Sequence, residues 1–272
     1  MPIQDKTIVI TGGSSGIGAA AARYLAQRGA RVIITGRSPA TKAIASEIGC
    51  DHYLVDFAKL SEVRKLASWL LEKYPRIDVL ANNAGAIFGE RQMTEDGHEM
   101  TFQINHLAGF LLTWLLRERL EASGATIINT SSVANNFGHV DLEDLENSKK
   151  YDSFRAYGTG KLMNILHAIG LNEKFKNVKA VSFHPGGVAT GFARDGSGLI
   201  KWVYENAVGR FFLISPEKGA DTLNWLIETT PGRDWKPGEY YVKRKLGRRN
   251  AQVSPDLARD LWEASLKLLK ER

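Results

Sequence analysis

Short apolar runs alternate along the chain with longer stretches in which apolar residues recur at the spacing of a helix. The apolar runs, which we interpret as strands, lie at residues 7–10, 31–35, 52–55, 79–81, 126–129 and 179–183. The helical patterns lie at residues 16–28, 39–48, 60–73, 100–120 and 155–174. Several runs are continuously apolar, as strands covered on both faces are. The alternation predicts an α/β fold with one doubly wound parallel β-sheet, flanked by helices on both faces.

No linker, internal repeat or low-complexity tract divides the sequence, so residues 1–272 are expected to form a single domain. Two segments depart from the alternation of strand and helix. Residues 133–152 are polar and acidic, and residues 187–215 are rich in glycine and aromatic side chains. Both follow a predicted strand and therefore emerge at the carboxyl edge of the sheet, where open α/β folds bind their ligands.

A glycine-rich loop joins the first predicted strand to the first predicted helix. It reads Thr11-Gly12-Gly13-Ser14-Ser15-Gly16-Ile17-Gly18. Glycines in such a loop permit a tight turn, a close approach of the backbone to a pyrophosphate, and close packing of helix on strand. The helix N-terminus adds N–H groups and a partial positive charge. This position in the chain predicts a dinucleotide site rather than a glycine turn without a ligand.

The Gly-x-x-x-Gly-x-Gly spacing of this loop resembles the short-chain dehydrogenase/reductase family, and four further motifs follow in the order typical of that family. They are Asn82-Asn83-Ala84-Gly85 after the fourth strand, Ser131-Ser132 at the end of the fifth, Tyr157-Gly158-Thr159-Gly160-Lys161, and Pro185-Gly186 with Thr190 after the sixth. The resemblance covers roughly residues 5–245 and implies a Rossmann-type fold. The His184-Pro185-Gly186 form and the Leu261-Trp262-Glu263-Ala264-Ser265 segment resemble the retinol-dehydrogenase-like branch. We expect a soluble member without the membrane anchor found in part of that branch.

The resemblance also implies the roles of individual residues. The catalytic group it implies is Asn105, Ser132, Tyr157 and Lys161. The cofactor-binding residues it implies are Gly12, Ser14, Ser15, Gly16, Ile17, Gly18, Arg37, Asp56, Asn83, Ala84, Gly85, Tyr157, Lys161, Val188 and Thr190. In the family, the serine holds the substrate oxygen and the asparagine holds a water molecule near the lysine. Asn105 could equally be structural.

Tyr157 and Lys161 stand four residues apart in a predicted helix and therefore share one face of it. A free tyrosine titrates near pH 10, so it is a poor general acid at neutral pH. An ammonium group ~4 Å away stabilises the phenolate by only ~1 kcal/mol in water, but by ~4 kcal/mol at an effective dielectric constant of about 20. The pair is therefore expected to lie in a partly buried cleft, where Tyr157 can exchange a proton with the substrate oxygen.

The end of the second predicted strand bears on the choice of cofactor. Members that prefer NAD carry an acidic residue about there, which binds the adenosine ribose hydroxyls and repels a 2′-phosphate. Here the position is Gly36, and Arg37 follows it. A guanidinium group suits a phosphate, so NADP(H) is the expected cofactor. The alternative is that Arg37 is a solvent-facing surface charge.

Aromatic residues are frequent in and beside residues 187–215, which in this family form a lid over the substrate. They are Phe192, Trp202, Tyr204, Phe211 and Phe212. They predict a pocket for a lipophilic ketone or aldehyde, although they could simply pack the lid shut. The predicted helices 100–120 and 155–174 correspond to helices that pair between subunits in many family members. A homodimer or homotetramer is therefore favoured, although monomers also occur.

The net charge of +6 is concentrated in residues 243–249. This run could bind nucleic acid or an anionic membrane, but no aromatic residues interleave it, and we interpret it as a solvated loop without either partner. The apolar stretch 107–116 is too short to span a bilayer. A single cysteine, Cys50, excludes an intrachain disulfide and fits a cytoplasmic protein. The histidines show no metal-ligand spacing, so no metal is expected.

The sequence thus predicts an NADP(H)-dependent oxidoreductase that interconverts a lipophilic ketone or aldehyde and the corresponding alcohol, with Tyr157 as general acid/base. A catalytically silent NADP(H)-binding sensor or scaffold is the main alternative. Such proteins typically lose the tyrosine or the lysine, and both are present here. A nucleotide-sugar epimerase or dehydratase would need a larger C-terminal substrate domain than the chain after Tyr241 provides.

Overall fold

The computed structural model describes residues 1–186 and 214–271 and confirms the Rossmann-type α/β fold. Its strands are β1 (Thr7–Thr11), β2 (Arg31–Gly36), β3 (Asp51–Leu54), β4 (Val79–Asn82), β5 (Thr126–Thr130), β6 (Lys179–His184), β7 (Tyr240–Val242) and β8 (Lys245–Leu246). They form one sheet in the order β3-β2-β1-β4-β5-β6-β7-β8. All neighbouring strands are parallel except β7 and β8, which form an antiparallel hairpin.

Helices cover both faces of this sheet. They are α1 (Gly16–Gln27), α2 (Ala40–Ile48), α3 (Leu60–Lys73), α4 (Met100–Phe102), α5 (Ala108–Leu115), α6 (Arg117–Ser123), α7 (Ser153–Lys174), α8 (Pro216–Glu228) and α9 (Pro255–Leu269). Short 3₁₀ helices lie at Ile3–Asp5 and Val133–Phe137, and a π-helical turn lies at Gln103–Leu107.

The buried strands supply alternate side chains to two separate hydrophobic cores. Val9 belongs to the core beneath α3, α5, α7 and α9, whereas Ile8 and Ile10 belong to the core beneath α1, α2 and α8. Successive strand residues point to opposite faces, so a strand covered on both sides must be apolar throughout. β1 is buried at every position. The continuous apolar runs of the sequence therefore have a direct structural cause.

The predicted helix 100–120 is the main departure from the sequence-based expectation. It is divided into α4, the π turn, α5 and α6. The Asn105 side chain donates a hydrogen bond to the Thr101 carbonyl oxygen at 2.9 Å, one turn earlier. This contact stabilises the widened turn, and a regular apolar repeat does not reveal it. Gly124, with φ of 62°, ends α6 in a left-handed conformation.

The sequence analysis did not predict α8 and α9, although both carry a recognisable start signal. Ser215 and Ser254 are their N-cap residues, and a proline follows each serine at the first helical position. α9 packs along α7, and its Trp262 ring lies 4.8 Å from the Phe110 ring on α5. α9 therefore covers part of the surface of the two helices on which self-association was expected.

Part of the predicted lid lies outside the described residues, including all five aromatic residues on which the pocket prediction rests. Within residues 1–186 and 214–271, no helix is both long enough and apolar enough to cross a membrane. The basic run 243–249 forms the β7–β8 hairpin and the segment after it. Arg244 pairs with Asp221, and Arg249 pairs with Glu239 at 3.2 Å.

Candidate active site

The carboxyl ends of β1 and β4 lie side by side, although three helices and two strands separate them in the sequence. The Thr11 hydroxyl oxygen accepts hydrogen bonds from the backbone N–H groups of Asn83 and Ala84, both at 2.9 Å. The side-chain amide of Asn83 in turn donates through its Nδ2 to the Thr11 carbonyl oxygen at 2.9 Å. These bonds join the first glycine loop to the Asn-Asn-Ala-Gly motif. The sheet reverses its winding direction here, which is where doubly wound folds bind dinucleotides.

The glycine loop has a shape that other residues could not adopt. Gly12 has φ of +68°, and a Cβ on Gly18 would lie 2.3 Å from the Gly12 carbonyl oxygen. Ser15, the N-cap of α1, is exposed and makes no side-chain hydrogen bond to the first turn. The N–H groups of Gly16 and Ile17 therefore keep their capacity to bind an anion. The loop fits the pyrophosphate of a dinucleotide.

The adenosine end of the predicted site lies at the carboxyl ends of β2 and β3. Arg37 is exposed immediately after β2, and Ser14, which lies near Gly36, is half-buried. A Cβ on Gly36 would lie 2.6 Å from the Thr41 Oγ1 and 3.2 Å from the Ser14 Oγ. Asp56 follows β3, and its carboxylate accepts the Ala58 N–H at 3.0 Å. The structure thus places Ser14 close to Gly36 and leaves the Arg37 side chain exposed to solvent.

Lys161 is the most unusual side chain of the site because its ammonium group is completely buried. Its Nζ donates to the Thr130 carbonyl oxygen at 3.3 Å and lies 5.3 Å from the centre of the Tyr157 ring. Desolvation lowers the pKa of Lys161 to about 7. Tyr157 is half-buried on the same face of α7. The spacing of four residues therefore places the cation over the tyrosine ring.

Asn105 and Lys161 converge on Gly85. A Cβ on Gly85 would lie 2.7 Å from the Asn105 Oδ1 and 2.9 Å from the Lys161 Nζ, so only glycine leaves this space open. The Asn105 Nδ2 donates to the carbonyl oxygens of Ala86 and Thr101 at 2.7 and 2.9 Å. Its Oδ1 is buried and has no hydrogen-bond partner among the described residues. The amide is thus oriented with its acceptor directed into the site.

The two serines at the end of β5 occupy different environments. Ser131 is buried, and its hydroxyl donates to the Lys161 carbonyl oxygen at 2.7 Å. Ser132 is half-buried, and its Oγ accepts the Ala134 N–H at 3.2 Å as the N-cap of the 3₁₀ helix. That bond leaves the hydroxyl hydrogen of Ser132 available to a substrate oxygen. Ser131 instead fixes α7 against β5.

The rim of this site includes residues that the sequence analysis did not single out. Val133 and Phe137, on the 3₁₀ helix after Ser132, are 48% and 74% exposed. Phe154, one turn before Tyr157 on α7, is 42% exposed. The sequence offered one signal for these three residues, their position: Val133 and Phe137 closely follow Ser132, and Phe154 closely precedes Tyr157. Val188 and Thr190, which we predicted to bind the cofactor, lie outside the described residues.

A Rossmann-type sheet with a glycine loop at its switch point, and a tyrosine–lysine pair beside it, defines an oxidoreductase of the kind that uses a nicotinamide dinucleotide. The short chain dehydrogenase family model matches residues 6–197. The chain therefore belongs to the short-chain dehydrogenase/reductase family, whose members interconvert carbonyl and alcohol groups with a nicotinamide cofactor.

Individual relatives and a solved structure agree with this assignment. The chain is 44% identical to a Streptomyces sp. (strain C5) protein named "putative daunorubicin C-13 ketoreductase DnrU", over 97% of this chain and 92% of that one. It is 34% identical to human (Homo sapiens) retinol dehydrogenase 11, over 98% and 86% of the two chains. The crystal structure of an uncharacterized Mycobacterium paratuberculosis protein is 29% identical and has a TM-score of 0.79, with 98% and 94% covered.

Proposed function

We propose that the protein is an NADP(H)-dependent oxidoreductase that interconverts a lipophilic ketone or aldehyde and its alcohol, with Tyr157 as general acid/base. The observation that carries this proposal is the buried Lys161 ammonium, 5.3 Å from the centre of the Tyr157 ring. A positive charge in a desolvated site favours the phenolate over the phenol. Tyr157 can then release its proton to a substrate oxygen and recover it near neutral pH.

The other two polar side chains complete this chemistry. The Ser132 hydroxyl is available to hydrogen-bond the substrate oxygen and hold it beside Tyr157. The Asn105 Oδ1 and the Lys161 Nζ face the same space above Gly85, so a water molecule between them could return a proton to the lysine. The bound nicotinamide would donate or accept the hydride.

The proposed preference for NADP(H) rests on Gly36 and Arg37. Any acidic side chain at Gly36 would need room that Thr41 occupies, so the carboxylate that grips ribose hydroxyls in NAD-preferring proteins has no place here. Arg37 is exposed at the same strand end and presents a planar pair of donors for a 2′-phosphate. A charge-assisted hydrogen bond contributes ~1.5–3 kcal/mol, which is roughly 10- to 150-fold in affinity.

The proposed substrate is lipophilic because three exposed apolar side chains lie close in the sequence to Ser132 and Tyr157. They are Val133 and Phe137 on the 3₁₀ helix and Phe154 on α7, and these two elements pack against each other. The names of two relatives refer to a ketoreductase and a retinol dehydrogenase, which supports carbonyl and alcohol chemistry for this chain as well.

A homodimer or homotetramer stays a prediction, and α9 restricts how it could form. α9 packs on α7 and contacts Phe110 of α5 through Trp262, so a dimer through these two helices would have to use the surface that α9 leaves uncovered. Light scattering on the purified protein measures its mass directly.

A screen for cofactor oxidation tests the proposed function. NADPH or NADH is mixed with the protein and a panel of lipophilic ketones, aldehydes, small polar carbonyls and sugar nucleotides, and absorbance of the reduced nicotinamide is followed. The proposal expects NADPH consumption with lipophilic carbonyls and at least tenfold lower kcat/KM with NADH. Binding of NADPH without turnover of any carbonyl would instead favour the silent sensor or scaffold.

A further inference from the structure

The C-terminal helix α9 makes a polar contact with the residue next to Asn105. His106 is buried, and its Nε2 lies 3.0 Å from the Ser265 Oγ. The Ser265 hydroxyl donates its own hydrogen to the Leu261 carbonyl oxygen at 2.8 Å. Because the single Ser265 hydrogen is directed at the Leu261 carbonyl oxygen, we assign the Nε2–H tautomer to His106, with Ser265 as the acceptor. Ser265 of α9 therefore makes a hydrogen bond to the π turn through His106.

This hydrogen bond does not depend on a charged histidine. Burial lowers the pKa of His106 to about 3, and the neighbouring Asn164 side chain opposes that shift only in part. The ring is therefore neutral at any pH at which the reaction would run. Its tautomer is fixed by the Ser265 oxygen, so the contact is a directional support and not an ion pair.

α9 is itself held firmly enough to act as a support. Trp262 packs edge-on against Phe110, with ring centres 4.8 Å apart, and against Phe175, with ring centres 5.8 Å apart. Trp262 and Leu261 are almost completely buried. Aromatic contacts of this kind stabilise packing beyond the apolar area that they bury. Ser265 lies one turn beyond these residues and therefore occupies a fixed position.

The π turn needs support because it is wider than the α-helix on either side of it, and isolated π turns are rare. Successive residues in a helix point about 100° apart, so Asn105 and His106 leave the turn in different directions. Asn105 faces Gly85 and Lys161, and His106 faces α9. A relaxation of the turn toward regular α geometry would move both side chains together.

We propose that Ser265, acting through His106, is a positioning residue that keeps the π turn in place and so aims the Asn105 amide oxygen at the Lys161 ammonium. This inference rests on the proposed function in one respect, because it takes Asn105 as part of the catalytic group. The C-terminal helix is then part of the active-site framework through the contact between Ser265 and His106.

Kinetics of a double-mutant cycle test the link to Asn105. Ser265→Ala should lower kcat about tenfold, with KM and the NADPH dissociation constant within twofold of wild type. In an Asn105→Ala background, Ser265→Ala should cause no further loss, because the group that it positions is gone. Losses that multiply, or a Ser265→Ala rate within twofold of wild type, would overturn the proposal. A wild-type rate in Asn105→Ala would instead overturn the proposed role of Asn105.

Hydrogen exchange tests the support without any turnover. In the full chain without substrate, amides of residues 103–107 should exchange faster in Ser265→Ala than in wild type. The matched control is Leu226→Ala, which removes a buried side chain from the other core, on the opposite face of the sheet. It should lower global stability and speed exchange of the most protected amides throughout the chain, with no selective increase at residues 103–107 and with kcat unchanged. Equal exchange in wild type and Ser265→Ala would refute the proposal even if the rates differ.

Discussion

The dinucleotide half and the catalytic half of the candidate site differ in the groups that form them. The dinucleotide half consists of backbone shaped by glycines, such as Gly12 with its positive φ and Gly18 with no room for a Cβ. The catalytic half consists of side chains that are buried and imperfectly satisfied, such as the Lys161 ammonium and the Asn105 Oδ1. Backbone N–H groups need only the correct local conformation. Buried polar side chains need partners from several distant elements.

The side chains proposed for catalysis therefore need not be the groups that stabilise the folded protein. A buried ammonium group disfavours folding, because its charge loses hydration and, among the described residues, gains one carbonyl acceptor, that of Thr130. The glycine loop carries no such penalty. We therefore expect a substitution of Lys161 to affect rate and stability in opposite directions, and a substitution of the exposed Arg37 to affect cofactor affinity alone.

The largest effect is expected from Tyr157→Phe, which removes the phenol proton and keeps the ring. The rate should fall by about 10²–10⁴-fold, the usual contribution of proton transfer from a placed side chain. The NADPH dissociation constant should stay within twofold, as measured by fluorescence titration. A variant that keeps more than about a tenth of the wild-type rate would show that another group donates the proton.

The next largest effect is expected from Ser132→Ala, with Ser131→Ala as its matched control. Loss of a hydrogen-bond donor to the reacting oxygen typically lowers kcat by about 10²–10³-fold. Ser131→Ala removes only the bond to the Lys161 carbonyl oxygen, so it should reduce stability by ~1 kcal/mol and keep kcat within a few-fold. Steady-state kinetics and urea unfolding of both variants check this. The reverse order of rates would assign the substrate contact to Ser131.

Lys161→Met should lower turnover and yet stabilise the protein. The folded state lowers the pKa of Lys161 from 10.5 to about 7, so the unfolded chain binds the proton more tightly. The resulting penalty is complete below pH 7 and disappears as the pH rises toward 10.5. At ~1.4 kcal/mol per pKa unit, the variant should gain a few kcal/mol at pH 6–7.

Urea unfolding of Lys161→Met at several pH values tests this expectation. The advantage over wild type should shrink steadily between pH 7 and pH 10. Lys174→Met is the control, because Lys174 lies on the same helix in an exposed pair with Glu263. It should show no such trend. An equally stable or less stable Lys161→Met at pH 6 would mean that the ammonium is not desolvated.

The smallest effect concerns the dinucleotide half. Arg37→Ala should weaken NADPH binding about tenfold and leave NADH within twofold, since only NADPH has the 2′-phosphate. Reversal of the preference needs Gly36→Asp together with Arg37→Ala. Because a Cβ at Gly36 would meet the Thr41 Oγ1 at 2.6 Å, Thr41→Ala should be added to make room.

Thr41→Ala alone is the control for that design and should bind both cofactors as wild type does. Isothermal titration with NADPH and NADH measures each constant. Equal weakening of both cofactors by Arg37→Ala would mean that Arg37 does not contact the 2′-phosphate.

The two halves also differ in how far the sequence predicted them. The glycine loop and the first and fourth strands depend on local conformation and on buried apolar runs, so the sequence predicted them to within one residue of their ends at Thr11 and Asn82. Tyr157 and Lys161 could be paired because they are one helical turn apart. The different environments of Ser131 and Ser132 could not be predicted, because they depend on the packing of α7 against β5.

The π turn and the contacts that position Asn105 were the part of the site that the sequence predicted least. The π turn interrupts an apolar pattern that reads as one regular helix, and the hydrogen bond from Asn105 to Thr101 that stabilises it is a side-chain contact. The bond between His106 and Ser265 joins residues 159 positions apart. Only the Ser254-Pro255 start signal of α9 was available from the sequence, and it says nothing of where that helix packs.

Transfer of isotope from cofactor to product tests the central claim most directly. The protein is incubated with NADPH carrying deuterium on the reactive C4 position and a lipophilic ketone that it consumes, and the product is analysed by mass spectrometry. With deuterium on the face of the ring that the enzyme uses, the account predicts an alcohol with one deuterium on the former carbonyl carbon and one NADP⁺ formed per alcohol. Tyr157→Phe, loaded with the same cofactor, should form almost no labelled alcohol. Unlabelled alcohol from both labelled faces, or cofactor that stays reduced with every carbonyl tested, would contradict the assignment of this site to carbonyl and alcohol interconversion.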